Sequence, residues 1–278
     1  MSASLIDPGQ SQASLLIAVP TLAPHLAAHG VDIGCSGHRP AGELCARAGV
    51  DWDSVARWAE EATLAPRRSC PCARTADMTL PELITHIIEY HHRRVEIMLD
   101  QLRPETVRWA NSASTTGPSL KRLAWGLVAF ANQVRDHFLR EQTHAFRPLL
   151  KLAKTNANPP FGLSHPAIGH PLALLFLDHD HVFDSFGSIL SLLEQDALRE
   201  PSGALGAQVR SGLGDLGNEL QQMMHEENNL LFALGLGLER ARALGEALPV
   251  SPRQLDRGLL AAFSELRAYR VAGGRPEQ

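Results

Sequence analysis

The sequence predicts an all-α protein: a four-helix up-down bundle preceded by a small helical N-terminal domain. Three observations carry this. No strand-like alternation of apolar and polar residues of any length occurs in the 278 residues. Strong helix formers (Ala, Leu, Glu, Gln and Arg) dominate segments that Gly and Pro punctuate. Four of those segments are long, about 20–35 residues each, the span of bundle helices joined by short to medium loops.

Residues 12–62 form the small N-terminal domain. Pro20 stands at a helix start and Gly30 at a helix end. A second short helix runs from Pro40 to about Ala48 and stops at Gly49. A third starts near Asp51 and sets Trp52, Val55, Trp58 and Ala59 at helical spacing. So small a unit is too slight to bury both tryptophans alone, which makes it a plausible contact for a homodimer. Residues 63–78 read as a linker, and Cys70-Pro71-Cys72 within it as a reversible disulfide.

The bundle occupies residues 79–240. Its first long helix opens on Thr79-Leu80-Pro81-Glu82, a capping box with an early proline, and runs to about Leu102. The second runs from Ser119 to about Lys154, with Pro148 bending it or ending it early. The third follows Pro171 and reaches about Leu198. The fourth starts after Pro201-Ser202-Gly203 and reaches about Leu238; its glycines, Gly206 among them, weaken it or let a neighbour pack close. Residues 249–278 read as one further helix, Ser251–Tyr269, and a polar tail.

Charge and composition exclude several classes. A formal net charge of -4 leaves no electrostatic footprint for nucleic acid. No apolar run approaches the roughly 18 residues of a membrane span. No Lys or Arg precedes Arg39, so the basic start of a signal peptide is missing, and a cytoplasmic protein is expected. Four Cys do not make a disulfide scaffold. Thirteen His stand out, because imidazole is the commonest metal ligand.

Each long segment carries His or Glu near its middle, inside an apolar face. The first has His91-His92, the second His137 and Glu141, the third Asp178-His179-Asp180, and the fourth His225-Glu226-Glu227. His137 and Glu141 are four apart and so share one helix face. Burying such groups is costly unless they are paired or coordinated. Nitrogen and oxygen donors in a bundle core suit iron, manganese or zinc.

These residues resemble a known family. The first segment around His86 to His92, His137-x-x-x-Glu141 with Phe146 and Pro148, Asp178-His179-Asp180 after Pro171, and Glu227-Asn228-Asn229-x-Leu231-Phe232 look like the iron-sulfur cluster repair di-iron proteins, which contain a hemerythrin-like HHE domain. Val19-Pro20, Gly30-Val31-Asp32, Cys35-Ser36-Gly37 and Ala48-Gly49-Val50-Asp51 look like that family's short N-terminal domain. The resemblance covers about residues 12–235. It implies two non-haem irons held by His92, His137, Glu141, His179 and Glu227, with the two glutamates bridging. It also implies NO or O2 as small ligand, iron-sulfur client proteins as partners, and a role in repair of clusters damaged by nitrosative or oxidative stress. Asp178, Asp180, Glu89 and Asn228 are expected to orient the imidazoles. NO reduction, iron donation and gas binding are all compatible with this ligand set.

Two positions depart from the family. Where it has His four residues before the last glutamate, this chain has Met223, a poor ligand for ferric iron and a better packing residue. His225 points away on an ideal helix and is not expected to reach the site; His91 reads as an outer or surface group. The family's Cys-Cys-Gly-Gly stretch is here Gly34-Cys35-Ser36-Gly37. Cys35 is then either a reactive thiol in iron transfer or NO chemistry, or a loop cysteine; Cys45 reads as core. The departures leave an alternative: an NO-binding or NO-sensing hemerythrin-like protein with a degenerate metal site and no repair activity.

Overall fold

A computed structural model describes residues 6–64, 71–112, 117–154, 168–194 and 203–255. Its regular structure is helical. Four helices come first: α1 (Gln12–Ala18), α2 (Leu22–Ala28), α3 (Ala41–Arg47) and α4 (Trp52–Leu64). Ser11 caps α1, accepting from the Ser14 amide at 3.2 Å. Gly30 and Gly49 follow α2 and α3 with φ of 76° and 75°, the left-handed ending glycine adopts without strain. These helices share a core built on Leu15, Leu16, Leu22, Leu26, Ile33, Cys45 and Val55. Trp52 and Trp58 are half-covered against it, and Trp58 packs on the His29 ring at 4.6 Å. The chain therefore covers part of the tryptophan surface that suggested a dimer contact.

The first long helix comprises α5 (Leu80–His86), a π-helical turn (Ile87–His92) and α6 (Arg93–Ser112). The capping box forms: Glu82 accepts from the Thr79 amide at 2.8 Å. The helix does not stop near Leu102. It runs through the exposed Pro104, because Leu102, Thr106 and Trp109 continue its buried stripe. Trp109 lies so close to Gly206 that a Cβ there would sit 2.9 Å from its ring; that glycine is a packing device.

The second long helix comprises α7 (Gly117–Glu141), a π turn (Gln142–Phe146) and α8 (Arg147–Lys154). Pro148 does not end it. The widened turn just upstream accommodates a residue that lacks an amide hydrogen and crowds the carbonyl four positions back. The third is α9 (Gly169–Leu193), shorter than expected, with residues 195–198 outside the described set. The fourth comprises α10 (Gly203–His225), a π turn (Glu226–Phe232) and α11 (Ala233–Leu244), six residues longer than expected.

The stretch read as a linker keeps Leu64 in α4 and forms a 3-10 turn, Pro71–Asp77, that buries Thr75 and Ala76. The expected disulfide at Cys70 falls outside the described residues, as do residues 256–269 of the expected last helix and the tail that follows it. What is described there is a 3-10 turn, Pro252–Gln254, whose Arg253 pairs with Asp77. No described helix is long and apolar enough to cross a membrane.

Two apolar clusters fill the bundle. One gathers Val95, Leu99, Trp109, Phe130, Phe186, Leu213 and Met223. The other gathers Leu83, Ile87, Phe146, Leu172, Phe176, Leu231 and Phe232. On every long helix polar residues separate the two, and the order of the clusters reverses from each helix to the next. That reversal is the up-down topology. The polar layer between them holds His91, His92, His137, Glu141, His179 and residues 225–229, all buried. All three π turns lie at or beside this level, and such turns are frequent at functional sites.

Candidate metal centre

The five residues named from the sequence meet in this layer. Glu141 is central. Its carboxylate oxygens lie 3.2 Å from His92 Nε2, 3.5 Å from His137 Nε2 and 3.1 Å from His179 Nε2. Glu227 reaches His92 Nε2 at 3.1 Å and His179 Nε2 at 3.4 Å. His137, Glu141, His179 and Glu227 bring one donor atom each within 4.8 Å of one another, as a cation site requires. His92 approaches the same two carboxylates. All five side chains are 4% exposed or less.

The imidazoles are oriented to present Nε2 to the carboxylates. Asn228 donates from Nδ2 to the Gly34 carbonyl at 3.0 Å, which fixes its amide and leaves Oδ1 as an acceptor. His179 Nδ1 donates to that oxygen at 2.8 Å, which turns Nε2 inward to 3.1 Å from Glu141 Oε1. His137 Nδ1 donates likewise to Asp178 at 2.8 Å, and Arg140 clamps Asp178 with contacts of 2.8–3.0 Å. His92 is held by stacking on Phe138, ring centres 3.8 Å apart. His137 Nε2, Glu141 Oε2 and Glu227 Oε2 have no hydrogen-bond partner although all are buried. Their separations match a shared cation: two donors about 2.1 Å from one ion and at right angles to each other stand about 3 Å apart. The residues present fit a metal.

The electrostatics agree. Burial alone raises Glu141, but His137, His179 and His92 outweigh it and hold its carboxyl well below the usual range. Burial alone lowers His92, but Glu141 and Glu227 outweigh it and hold it up at about 9. Burial tends to raise Asp178, yet His137 and Arg140 bring it down to about 2. Glu141 and Asp178 stay anionic, and a cation displaces the proton from the His92 ring on binding. Replacing Asp178 by Ala is expected to cut metal affinity roughly 10–100-fold. Chelator competition measures this, with helicity unchanged as the control for folding.

Other named residues fall elsewhere. Met223 is fully buried in the apolar cluster on the α6 side of the layer, as expected of a packing residue. His225 does not enter the centre. It bonds Asn229 at 2.9 Å, and burial pushes its pKa down to about 4. Cys35 is 8% exposed and lines a cleft of about 480 Å³ with Asp32, Asp180 and Phe183. Asp32 shapes its loop, accepting from the Cys35 amide at 2.9 Å. Cys45 is core, its thiol pushed up by burial. Of the expected orienting residues, Asp178 and Asn228 hold imidazoles. Glu89 is exposed on another cleft, and Asp180 lines the cleft at Cys35.

His91 is neither at the surface nor around the centre. With His86 and Glu226 it forms a second group that could hold a cation. Sequence reasoning passed over this group, because His86 and His91 are five apart and an α-helix turns such residues away from each other. The doubled His91-His92 and Glu226-Glu227 were the available signal.

The family model described as the Hemerythrin HHE cation binding domain matches residues 83–235. Among curated proteins, the iron-sulfur cluster repair protein YtfE of Yersinia pestis (strain Pestoides F) is 25% identical over 233 residues, covering 82% of this chain and 96% of the relative. The protein of the same name from Yersinia pseudotuberculosis serotype O:1b (strain IP 31758) matches with the same identity and coverage.

Proposed function

The chain belongs to the hemerythrin HHE cation-binding domain family, and on that premise we propose that it is a non-haem di-iron protein that binds NO or O2 and serves repair of iron-sulfur clusters under nitrosative or oxidative stress, in the cytoplasm. One observation carries this: three imidazoles and two carboxylates converge in a buried layer, where His137 Nε2, Glu141 Oε2 and Glu227 Oε2 find no hydrogen-bond partner. His137 and His179 would hold one iron and His92 the other, with Glu141 and Glu227 shared between them. Iron held there would supply affinity for NO and O2 and one-electron chemistry.

The chain's own residues supply the rest. Asp178 and Asn228 fix which ring nitrogens face inward. Phe138, Phe146, Phe176 and Phe232 exclude water around the rings. Small, weakly polar gases cross such a core. The repair role comes from the name of the relatives, which share 25% of residues with this chain. Cys35 belongs to this reading as a thiol for NO or iron. It adjoins Gly34, whose carbonyl Asn228 grips. Protein from iron-replete cells is expected to hold two irons per chain and to develop an NO-dependent iron spectrum. Fewer than one iron per chain after anaerobic handling would overturn the proposal.

Met223 favours a second reading, in which one ion lacks a protein ligand and the chain binds or senses NO without repair. A second imidazole, beside His92, is then expected to tighten that ion. Met223→His is expected to raise retention of the second iron against a chelator. Unchanged retention would show the centre to be complete without it.

A further inference from the structure

The two histidines His91-His92 and the two glutamates Glu226-Glu227 are consecutive, so each pair must point in two directions. His92 and Glu227 enter the central layer. His91 and Glu226 turn outward between the first and fourth long helices, where they meet His86. We propose that His86, His91 and Glu226 form a second, separate site for a divalent first-row transition ion, one that opens to the surface.

Three observations support it. The first is convergence. Glu226 Oε2 lies 3.2 Å from His86 Nε2 and 3.1 Å from His91 Nε2, yet none of these atoms makes a hydrogen bond of acceptable geometry. Atoms this close whose lone pairs miss one another aim at a common point, and the separations suit donors about 2.1 Å from one ion. His91 and Glu226 are each 1% exposed. The second is preparation of the donors. Glu219 accepts from His91 Nδ1 at 2.8 Å and is itself held by Arg94 at 2.8 Å, so His91 Nε2 faces the site bare. Gln222 donates to Glu226 Oε1 at 2.9 Å, leaving Oε2 for an ion. The third is the backbone. His86 and His91 are five residues apart, and the π turn Ile87–His92 brings both to one face.

Two imidazoles and one carboxylate leave coordination positions vacant, and here they face a cleft of about 780 Å³ lined by Tyr90, Asp215 and Glu219 among others. The central layer is sealed by apolar residues, whereas an ion here is open to solvent and to small anionic or neutral ligands.

The test is a difference in zinc stoichiometry. Protein carrying its resident iron is titrated with Zn2+ against a chromophoric chelator. The wild-type chain is expected to take one Zn2+ more than His86→Ala, whose affinity for that ion falls by at least about 100-fold, beyond the loss of an orienting group. Iron content and helicity stay unchanged. His86 is partly exposed at the cleft edge, so its loss leaves the core packed. Glu226→Gln is expected to lose the same ion. Equal Zn2+ uptake by wild type and both variants overturns the site. If the central centre proved iron-free, the one-ion difference between wild type and His86→Ala would still appear, so the two proposals fail separately.

Discussion

Glu141→Ala is expected to strip the central layer of the iron proposed for it, from two ions per chain to well under one, by elemental analysis. Glu141 lies within 3.5 Å of all three central imidazoles, whereas Glu227 lies that close to two of them. Under the bridging assignment its removal takes a ligand from both ions at once. Stability reports the same loss. An ion present at 100 times its dissociation constant stabilises the folded chain by about 2.7 kcal/mol. Added iron is therefore expected to raise the melting temperature of the wild-type chain and to leave that of Glu141→Ala where it was. Two irons retained in the variant would contradict the assignment.

Asn228→Leu is expected to cost roughly 2–5 kcal/mol in denaturant unfolding and to weaken iron binding roughly 10–100-fold. Its amide joins two elements far apart in sequence, donating to Gly34 in the loop between α2 and α3 and accepting from His179 of α9. Leucine has similar volume but leaves a buried carbonyl without a donor and a ring N–H without an acceptor. The neighbouring Asn229 separates the two effects. It donates to the Ile33 carbonyl at 3.0 Å and bonds His225, touching no central imidazole. Asn229→Leu is expected to lower stability and leave iron affinity alone. Loss of iron in both variants would mean that attachment of the Ile33–Gly34 loop, rather than the His179 bond, sets the affinity.

Much of this molecule was legible in its sequence. Helix-forming composition and apolar faces predicted four long helices. Polar groups at mid-height on each pointed to a metal layer, and the family resemblance singled out His92, His137, Glu141, His179 and Glu227 within it, which do meet. What escaped was pitch. Reasoning at 3.6 residues per turn cannot bring His86 and His91 together, because the π turn between them is a property of the packed bundle. The helix end expected near Leu102 failed for a related reason. Proline ends an isolated helix, but a continuing buried stripe through Thr106 and Trp109, or a widened turn upstream, carries the chain past it. Glu226 was read as the neighbour of a ligand rather than as a donor of its own.

The wide turn at Glu226–Phe232 holds about one residue more than the ordinary pitch needs, so this part of the gene tolerates the loss of a codon better than the gain of one. Removing one residue after Glu227 would restore the ordinary pitch and leave Leu234 and Leu238 on the face they now bury. Adding one would swing everything that follows by about 100° and carry both leucines off that face.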